Sequence, residues 1–238
     1  MPTAQNWNGN PVCTPADIRR HLRGIEISSD WTMEDSSPEM QRLCRQATRR
    51  AVVYCQRIFE ATDYVKERYH GTGRRGYIEL RNYPVLSFTK LTAWDYFRKN
   101  NKEFVASEEN ETFVLEREYG EIQIIPSIMD WLISFAGPEF DEGFLNMGLA
   151  QASWNVEVTY RAGFEVYPED LIDAVSMLGA NLLLSEISAA KSNGVSSFSA
   201  DGVSVSFGNG PFSTRMDYLS KQSKEILNTY KRRLVGGM

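Results

Sequence analysis

Few residues of this chain have the types and spacing that catalysis requires. The segment 71–76, GTGRRG, has glycines spaced like those of a phosphate-binding loop, but it lacks the Lys-Ser/Thr ending and no strand-to-helix crossover surrounds it. The two histidines, His21 and His70, fall in different predicted elements, and there is no GxSxG nucleophile elbow. We therefore predict that the chain is not an enzyme, that it binds no cofactor and that residues 71–76 form a hairpin loop.

Metal-binding and acid–base residues are equally sparse. The cysteines form an odd set without a CxxC pair, Cys13, Cys44 and Cys55, so we expect free buried thiols and no zinc site. Paired acidic residues such as Glu108 and Glu109 lie in loop-like acidic sequence. Nothing there predicts the desolvated carboxyl that a glycosidase acid needs.

Composition and charge narrow the class of protein further. The 238 residues are 42% hydrophobic and 24% charged, which is ordinary for a globular protein with a sizeable core. The first ten residues lack the pattern of a signal peptide, and no uninterrupted apolar stretch predicts a membrane span, so we expect a protein folded in a cytosol with no membrane partner. Within the net charge of −5, residues 101–143 carry −9 and the rest carries +4. We therefore expect one acidic surface and several basic ones.

Two helices are predicted before residue 60. Thr14 followed by Pro15 is typical of a cap and first helical turn, and Ser37 followed by Pro38 repeats that signal before a longer helix. Apolar residues recur at three and four along the second helix up to about Phe59, which predicts one buried face. Another face of that helix is basic, and we expect it to be mainly solvated. Its arginines are Arg42, Arg45 and Arg49.

The middle of the chain changes to β periodicity. Short β-rich runs separated by Gly, Pro or Asn predict an antiparallel meander, closed by the alternating segment Trp154 to Tyr160. The residues Asn82 to Val85 predict a tight turn. Residues 126–153 are too apolar for a disordered linker and too irregular for a strand, so we interpret them as an insertion between the last two strands.

Three elements are predicted after the meander. A helix from about Glu169 to Ala190 is apolar nearly all round its axis, so it must be covered on more than one side. Residues 195–207 predict a small hairpin that turns at Asp201-Gly202. Residues 214–234 predict a basic amphipathic terminal helix, which could dock elsewhere than on its own core.

The junction between the last long strand and the apolar helix carries a family resemblance. The segment Val156 to Leu171 ends a strand at Ala162-Gly163 and begins a helix at Pro168, and it resembles the head-to-tail connector (adaptor) proteins of tailed bacteriophages. The similarity extends over about 14–125 and 156–184. Its further motif positions are Arg57-Ile58-Phe59, Tyr64, Gly71-Thr72-Gly73 and Leu80 to Val85.

The resemblance implies an α+β fold, in which a helical bundle carries an inserted antiparallel β domain and a C-terminal helix. As one connector domain over 1–238, its parts would be N-terminal helices at 14–60, a β domain at 61–161 with an insertion at 126–153, a central helix at 169–192, a hairpin at 195–207 and a terminal helix at 214–234. The implied function is structural. Twelve copies would form a ring beneath the portal protein in the neck of the virion, after synthesis in the host cytoplasm.

The ring would extend the DNA channel, pass double-stranded DNA without reading its sequence, and offer a platform to a stopper or tail-completion protein. We assign portal binding to the basic terminal helix through Lys221, Lys224, Tyr230, Lys231, Arg232 and Arg233. The candidate subunit interface consists of apolar residues in the insertion and the central helix, namely Trp131, Phe135, Met147, Leu178, Leu182 and Leu183. The candidate channel-facing residues are Glu108, Glu109 and Glu111, because like charge discourages sticking to phosphates, and an outer-wall position fits these glutamates equally well.

Two other functions fit parts of the sequence. One is a stopper-type head completion protein, although the number of predicted helices argues against the smaller β-barrel expected there. The other is a small nucleic-acid-binding protein that uses the arginine face of the second helix.

Overall fold

The computed structural model describes residues 9–25, 34, 36–72, 77–94, 101–111, 113–124, 153–192, 197–200, 203–206 and 212–231. The chain divides into two compact units, a β unit over Glu60–Glu165 and a helical unit built from Pro2–Phe59 and Val166–Met238. Helices and antiparallel sheets in this order confirm the predicted α+β class with a C-terminal helix.

Among the described residues, four helices belong to the helical unit, and their start signals are those of the sequence. They are α1 (Pro15–Arg20), α2 (Pro38–Cys55), α3 (Glu169–Ser192) and α4 (Ser213–Tyr230). Thr14 caps α1 by a reciprocal exchange with Asp17, and proline follows at the first position. The C-cap of α2 is Gln56, whose φ is 56°. The helix therefore stops short of Phe59, up to which the sequence predicted it would continue.

Helix α3 lies at the centre of this unit and contacts the other three helices. Gly179 allows α1 to approach α3 closely, since a Cβ there would stand 2.5 Å from Cδ1 of Ile18. This surrounding explains why α3 is apolar nearly all round. Residues Glu169–Ala189 are also long and apolar enough to cross a membrane, but 61% of the qualifying stretch is buried, which is what a core helix requires.

The described residues of the β unit form two sheets, so the single meander predicted from the sequence is wrong. Its strands are β1 (Thr62–Thr72), β2 (Tyr77–Glu79), β3 (Val85–Trp94), β4 (Asn101–Val105), β5 (Phe113–Glu116), β6 (Glu121–Ile124) and β7 (Ser153–Ala162). The first sheet has the order β1-β7-β3-β4 and the second β2-β6-β5. Strand β7 lies between β1 and β3 and pairs antiparallel with both. Its alternating apolar residues face the core of the β unit. A further hairpin joins β8 (Ser197–Ala200) to β9 (Val203–Ser206).

The connection after β1 also differs from prediction. β1 and β2 lie in different sheets, so they are not the paired strands of the hairpin predicted across 71–76, and residues 73–76 themselves lie outside the described residues. A single 3-10 turn (Ala106–Glu108) follows β4, a strand that the sequence did not predict. The expected turn at 82–85 contains a cis bond between Tyr83 and Pro84.

A bulge in β1 decides which of its side chains are buried. The pairing with β7 shifts between Tyr64 and Glu67, and Lys66 takes a φ of 53° inside the bulge. As a result Tyr64, Glu67 and Tyr69 all point into the core of the β unit. A regular strand would have placed Tyr64 and Tyr69 on opposite faces.

The chain enters and leaves the β unit through adjacent backbone. Glu60 and Phe164 form a parallel bridge, and the N–H of Ala61 donates to the carbonyl of Phe164 at 3.2 Å. Gly163, which directly precedes Phe164, has a φ of 119°. A Cβ on it would stand 2.5 Å from the carbonyl oxygen of Glu60. Only glycine fits this junction, which is the one that carries the family resemblance.

Candidate interaction surfaces

The basic terminal helix presents two lysines to solvent. α4 buries Leu219, Ser223 and Leu227, which leaves Lys221 and Lys224 exposed on the opposite side. Neither lysine makes an ion pair or hydrogen bond within the part of the chain that the structure describes. Two exposed lysines on a helix held by its other face suit an acidic partner.

The end of α4 is anchored to its own bundle. The hydroxyl of Tyr230 donates to Asp170 at 2.6 Å, and its ring meets Phe59 edge-on at 6.3 Å. Burial and this hydrogen bond raise the pKa of Tyr230. Lys231 lies over the ring of Tyr54 at 5.4 Å. The structure therefore gives Tyr230 and Lys231 an internal role beside any external one, while Arg232 and Arg233 lie outside the described residues.

The apolar candidates on α3 differ in exposure. Leu183 is fully buried and Leu182 is 8% exposed, whereas Leu178 is partly exposed. The helical unit thus already covers two of the three leucines. The three candidates in the insertion lie outside the described residues, namely Trp131, Phe135 and Met147.

The acidic candidates lie around the 3-10 turn after β4. Glu111 is exposed and Glu108 is half-buried, while Glu109 accepts a hydrogen bond from Arg117 at 2.5 Å. The ion pair offsets one of the three charges locally. Glu111 is therefore the candidate with the most accessible charge.

The arginines of α2 form a solvent-exposed face, as the sequence predicted. Arg42 donates to Glu186 at 2.9 Å, but Arg45, Arg49 and Arg50 have no ion pair or hydrogen bond among the described residues. From Gln41 to Gln56 the exposed positions are arginine, glutamine and Val53, and none is acidic. Its charge is uncompensated along the helix itself.

The β unit contains a buried polar network that the sequence did not predict. Glu67 is 6% exposed, and its Oε2 accepts hydrogen bonds from the hydroxyls of Tyr69 and Tyr160, both at 2.5 Å. Its Oε1 lies 3.3 Å from Nη1 of Arg81, whose guanidinium also stacks on Tyr69. Burial raises the pKa of both tyrosines, with the Glu67 charge adding to it. Every member is partnered, so the network stabilises the β unit and leaves no group to act on a substrate.

A second polar cluster unites residues that catalysis often uses. His21 Nε2 lies 2.9 Å from Ser176 Oγ and 3.1 Å from Asp173 Oδ1. Both partners approach the same nitrogen, and the serine hydroxyl donates to the carbonyl of Asp173 at 2.8 Å. A catalytic triad instead places the acid and the serine on different ring nitrogens. Burial lowers the pKa of His21 and outweighs the opposite effect of Asp173.

The cysteines are free and buried, as predicted. Cys55 donates to the carbonyl of Leu227 at 3.4 Å, and burial raises its pKa to about 12. The hydrogen bond to Cys44 and burial raise the pKa of Cys13. Among the described residues no three His, Cys, Asp or Glu side chains are grouped to hold a metal ion.

Comparison with known proteins gives a structural likeness that covers nearly the whole chain. No protein-family model matches the sequence, and no curated protein matches it. Among solved structures, a chain of the "virion of native gene transfer agent (GTA) particle" is similar over 97% of this chain and 96% of that chain, with 18% identity and a TM-score of 0.44. A TM-score of this size falls short of a shared fold, so no function is transferred from it.

Proposed function

We propose that this chain is a structural virion protein, a head-to-tail adaptor that forms a ring of twelve copies beneath the portal protein. The observation that carries the proposal is the junction at Gly163. The strand, the glycine that no other residue can replace and the proline-started helix coincide with the motif shared with phage connector proteins. A β unit inserted into a helical unit agrees with the architecture which that resemblance implies.

The test is electron microscopy of the full chain mixed with portal assemblies encoded beside it. We expect an added ring with twelve-fold symmetry on the outer face of the portal. If the portal assemblies stay undecorated at saturating chain, the adaptor function is refuted.

The exposed lysines of α4 are the proposed portal contact, together with the basic residues that follow them. Deleting the whole helix would uncover α3, so a surface change is the sharper test. Lys221→Gln with Lys224→Gln should weaken portal decoration. Arg68→Gln with Lys90→Gln removes the same charge from the β unit and serves as the matched control. Equal decoration by both double variants would exclude α4 as the portal surface.

Subunit contacts are proposed for Leu178 and for the insertion around Trp131. Leu178→Gln should reduce ring formation on the portal, whereas Ile172→Gln, another partly exposed position on α3, should not. Trp131→Ala tests the insertion by the same readout. Rings of unchanged occupancy in both variants would remove these residues from the interface.

The acidic turn after β4 is proposed to face the passing DNA. Glu108→Gln with Glu111→Gln removes charge without breaking the ion pair of Glu109. We expect slower DNA release from assembled particles, since lost repulsion lets phosphates approach the wall. Unchanged release would place these residues away from the channel.

A further inference from the structure

The arginine face of α2, defined as Arg45, Arg49 and Arg50, lacks an explanation within the helical unit. Arg45 and Arg49 lie one turn apart and repel each other. Neither they nor Arg50 has a counter-ion within the described part of the chain. Val53, one turn beyond Arg49, is 47% exposed and adds an apolar position to the same face. Such a face suits a partner that brings negative charge and some apolar surface.

The hairpin of β5 and β6 ends in a feature with the complementary character. We define the acidic tip as Glu116, Glu118 and Tyr119. Both glutamates are exposed without an ion pair among the described residues, and Tyr119 is 42% exposed. Arg117, which stands between the glutamates, has its charge offset by Glu109.

The acidic tip is held in place by backbone contacts. The N–H of Leu80 donates to the carbonyl of Gly120 at 2.8 Å, and the N–H of Val85 donates to that of Arg117 at 2.7 Å. Gly120 has a φ of 67° and leaves only 3.1 Å between a Cβ and the Cβ of Tyr83. A tip fixed in this way loses little conformational entropy when it binds.

We propose that the acidic tip of one copy docks on the arginine face of α2 in the next copy. Two different, oppositely charged patches on one chain make a head-to-tail contact, which is the kind of contact that closes a ring. Arginine suits this role because its guanidinium pairs with a carboxylate and stacks on a tyrosine ring. The inference rests on the proposed ring and names a charged contact within it.

Two charge-reversed variants of the full chain test the proposal. The first carries Arg45→Glu and Arg49→Glu, and the second carries Glu116→Lys and Glu118→Lys. All four positions are exposed, so both variants should keep the wild-type circular dichroism and melting temperature. Each variant alone opposes like charges at the contact, while an equal mixture restores opposite charges. Arg20→Glu with Arg23→Glu is the matched control for the first variant.

The readouts are sedimentation velocity at low salt and zero-length carbodiimide cross-linking at millimolar chain, with one variant labelled with ¹⁵N. Carbodiimide joins a lysine amine to a glutamate carboxyl with loss of water. We expect linked peptides between position 116 or 118 of one copy and position 45 or 49 of the other, in the mixture only. Self-association should weaken about tenfold or more in each variant alone and return in the mixture.

The absence of such linked peptides from the mixture overturns the proposal. Duplex DNA binding that weakens with salt and is lost in the first variant, without cross-links in the mixture, would make the arginine face a nucleic-acid surface. The cross-link is sought without portal protein, so undecorated portals would refute the adaptor function and leave this contact standing.

Discussion

The helical unit and the β unit bury their interiors by different means. Around α3 most buried side chains are apolar, only single hydroxyls such as those of Thr48 and Ser223 lie among them, and Gly179 lets helices approach closely. The β unit instead buries the carboxylate of Glu67. Two tyrosine hydroxyls donate hydrogen bonds to it and one arginine forms an ion pair with it. An apolar core tolerates imprecise contacts but suffers from cavities, whereas a polar network depends on every partner being present.

The largest expected effect is a cavity in the helical unit. Leu183→Ala should lower the free energy of unfolding by about 3 to 4 kcal/mol, since the side chain is fully buried. Denaturant unfolding measures it, with Leu178→Ala as the partly exposed control at about 1 kcal/mol. Equal losses in the two variants would mean that α3 is not covered on the side of Leu183.

The junction of the β unit should come next. Gly163→Ala should cost about 3 kcal/mol, because alanine avoids this φ and its Cβ would strike the backbone of Glu60. Gly24→Ala is the matched control, as Gly24 has a φ of 81° with open space around it, and it should cost about 1 kcal/mol. Thermal unfolding compares the two. Similar melting temperatures would show that backbone conformation alone decides the cost.

A change of one atom in the buried network should have a smaller effect. Glu67→Gln keeps the shape but removes the charge, so it should lower the free energy of unfolding by about 2 kcal/mol. Glu103→Gln breaks the exposed pair with Lys90 and should cost no more than about 0.5 kcal/mol. If the two variants unfold at the same denaturant concentration, the network contributes no more than a surface ion pair.

The smallest effect is a dependence on pH in the helical unit. Because burial lowers the pKa of His21, the unfolded chain binds its proton more readily than the folded chain. The free energy of unfolding should be highest above the ordinary histidine value of 6.5 and should fall as the pH drops from there to the folded-state pKa. The contribution of His21 is the difference between wild type and His21→Gln, with His70 common to both. Parallel profiles would show that Asp173 cancels the burial.

Local signals predicted the helical unit well. Thr14, Pro38 and Pro168 precede or begin helices where expected, and the all-round apolar pattern of α3 matches its central position. These signals act within a few residues of one another, so the sequence displays them directly.

The β unit resisted prediction because its decisive features are not local. Strict alternation cannot bury both Tyr64 and Tyr69, and only the bulge at Lys66 reconciles them and turns Glu67 inward. Strand order depends on pairing across the chain, which placed β7 between β1 and β3. Among the candidate surfaces, the exposure of the arginine face could be predicted from helical spacing. The acidic tip could not be predicted, because its position depends on the pairing of β5 with β6.

The paired crossings at Glu60 and Phe164 also bear on how such chains evolve. The bridge between Glu60 and Phe164 joins the residue where the chain enters the β unit to the residue where it leaves. It keeps these two backbone positions one strand spacing apart, about 5 Å. Insertions and losses that keep Ala61 and Gly163 in place would leave that gap unchanged. The β unit can therefore be lengthened, trimmed or exchanged as a cassette while the helices that receive it keep their sequence.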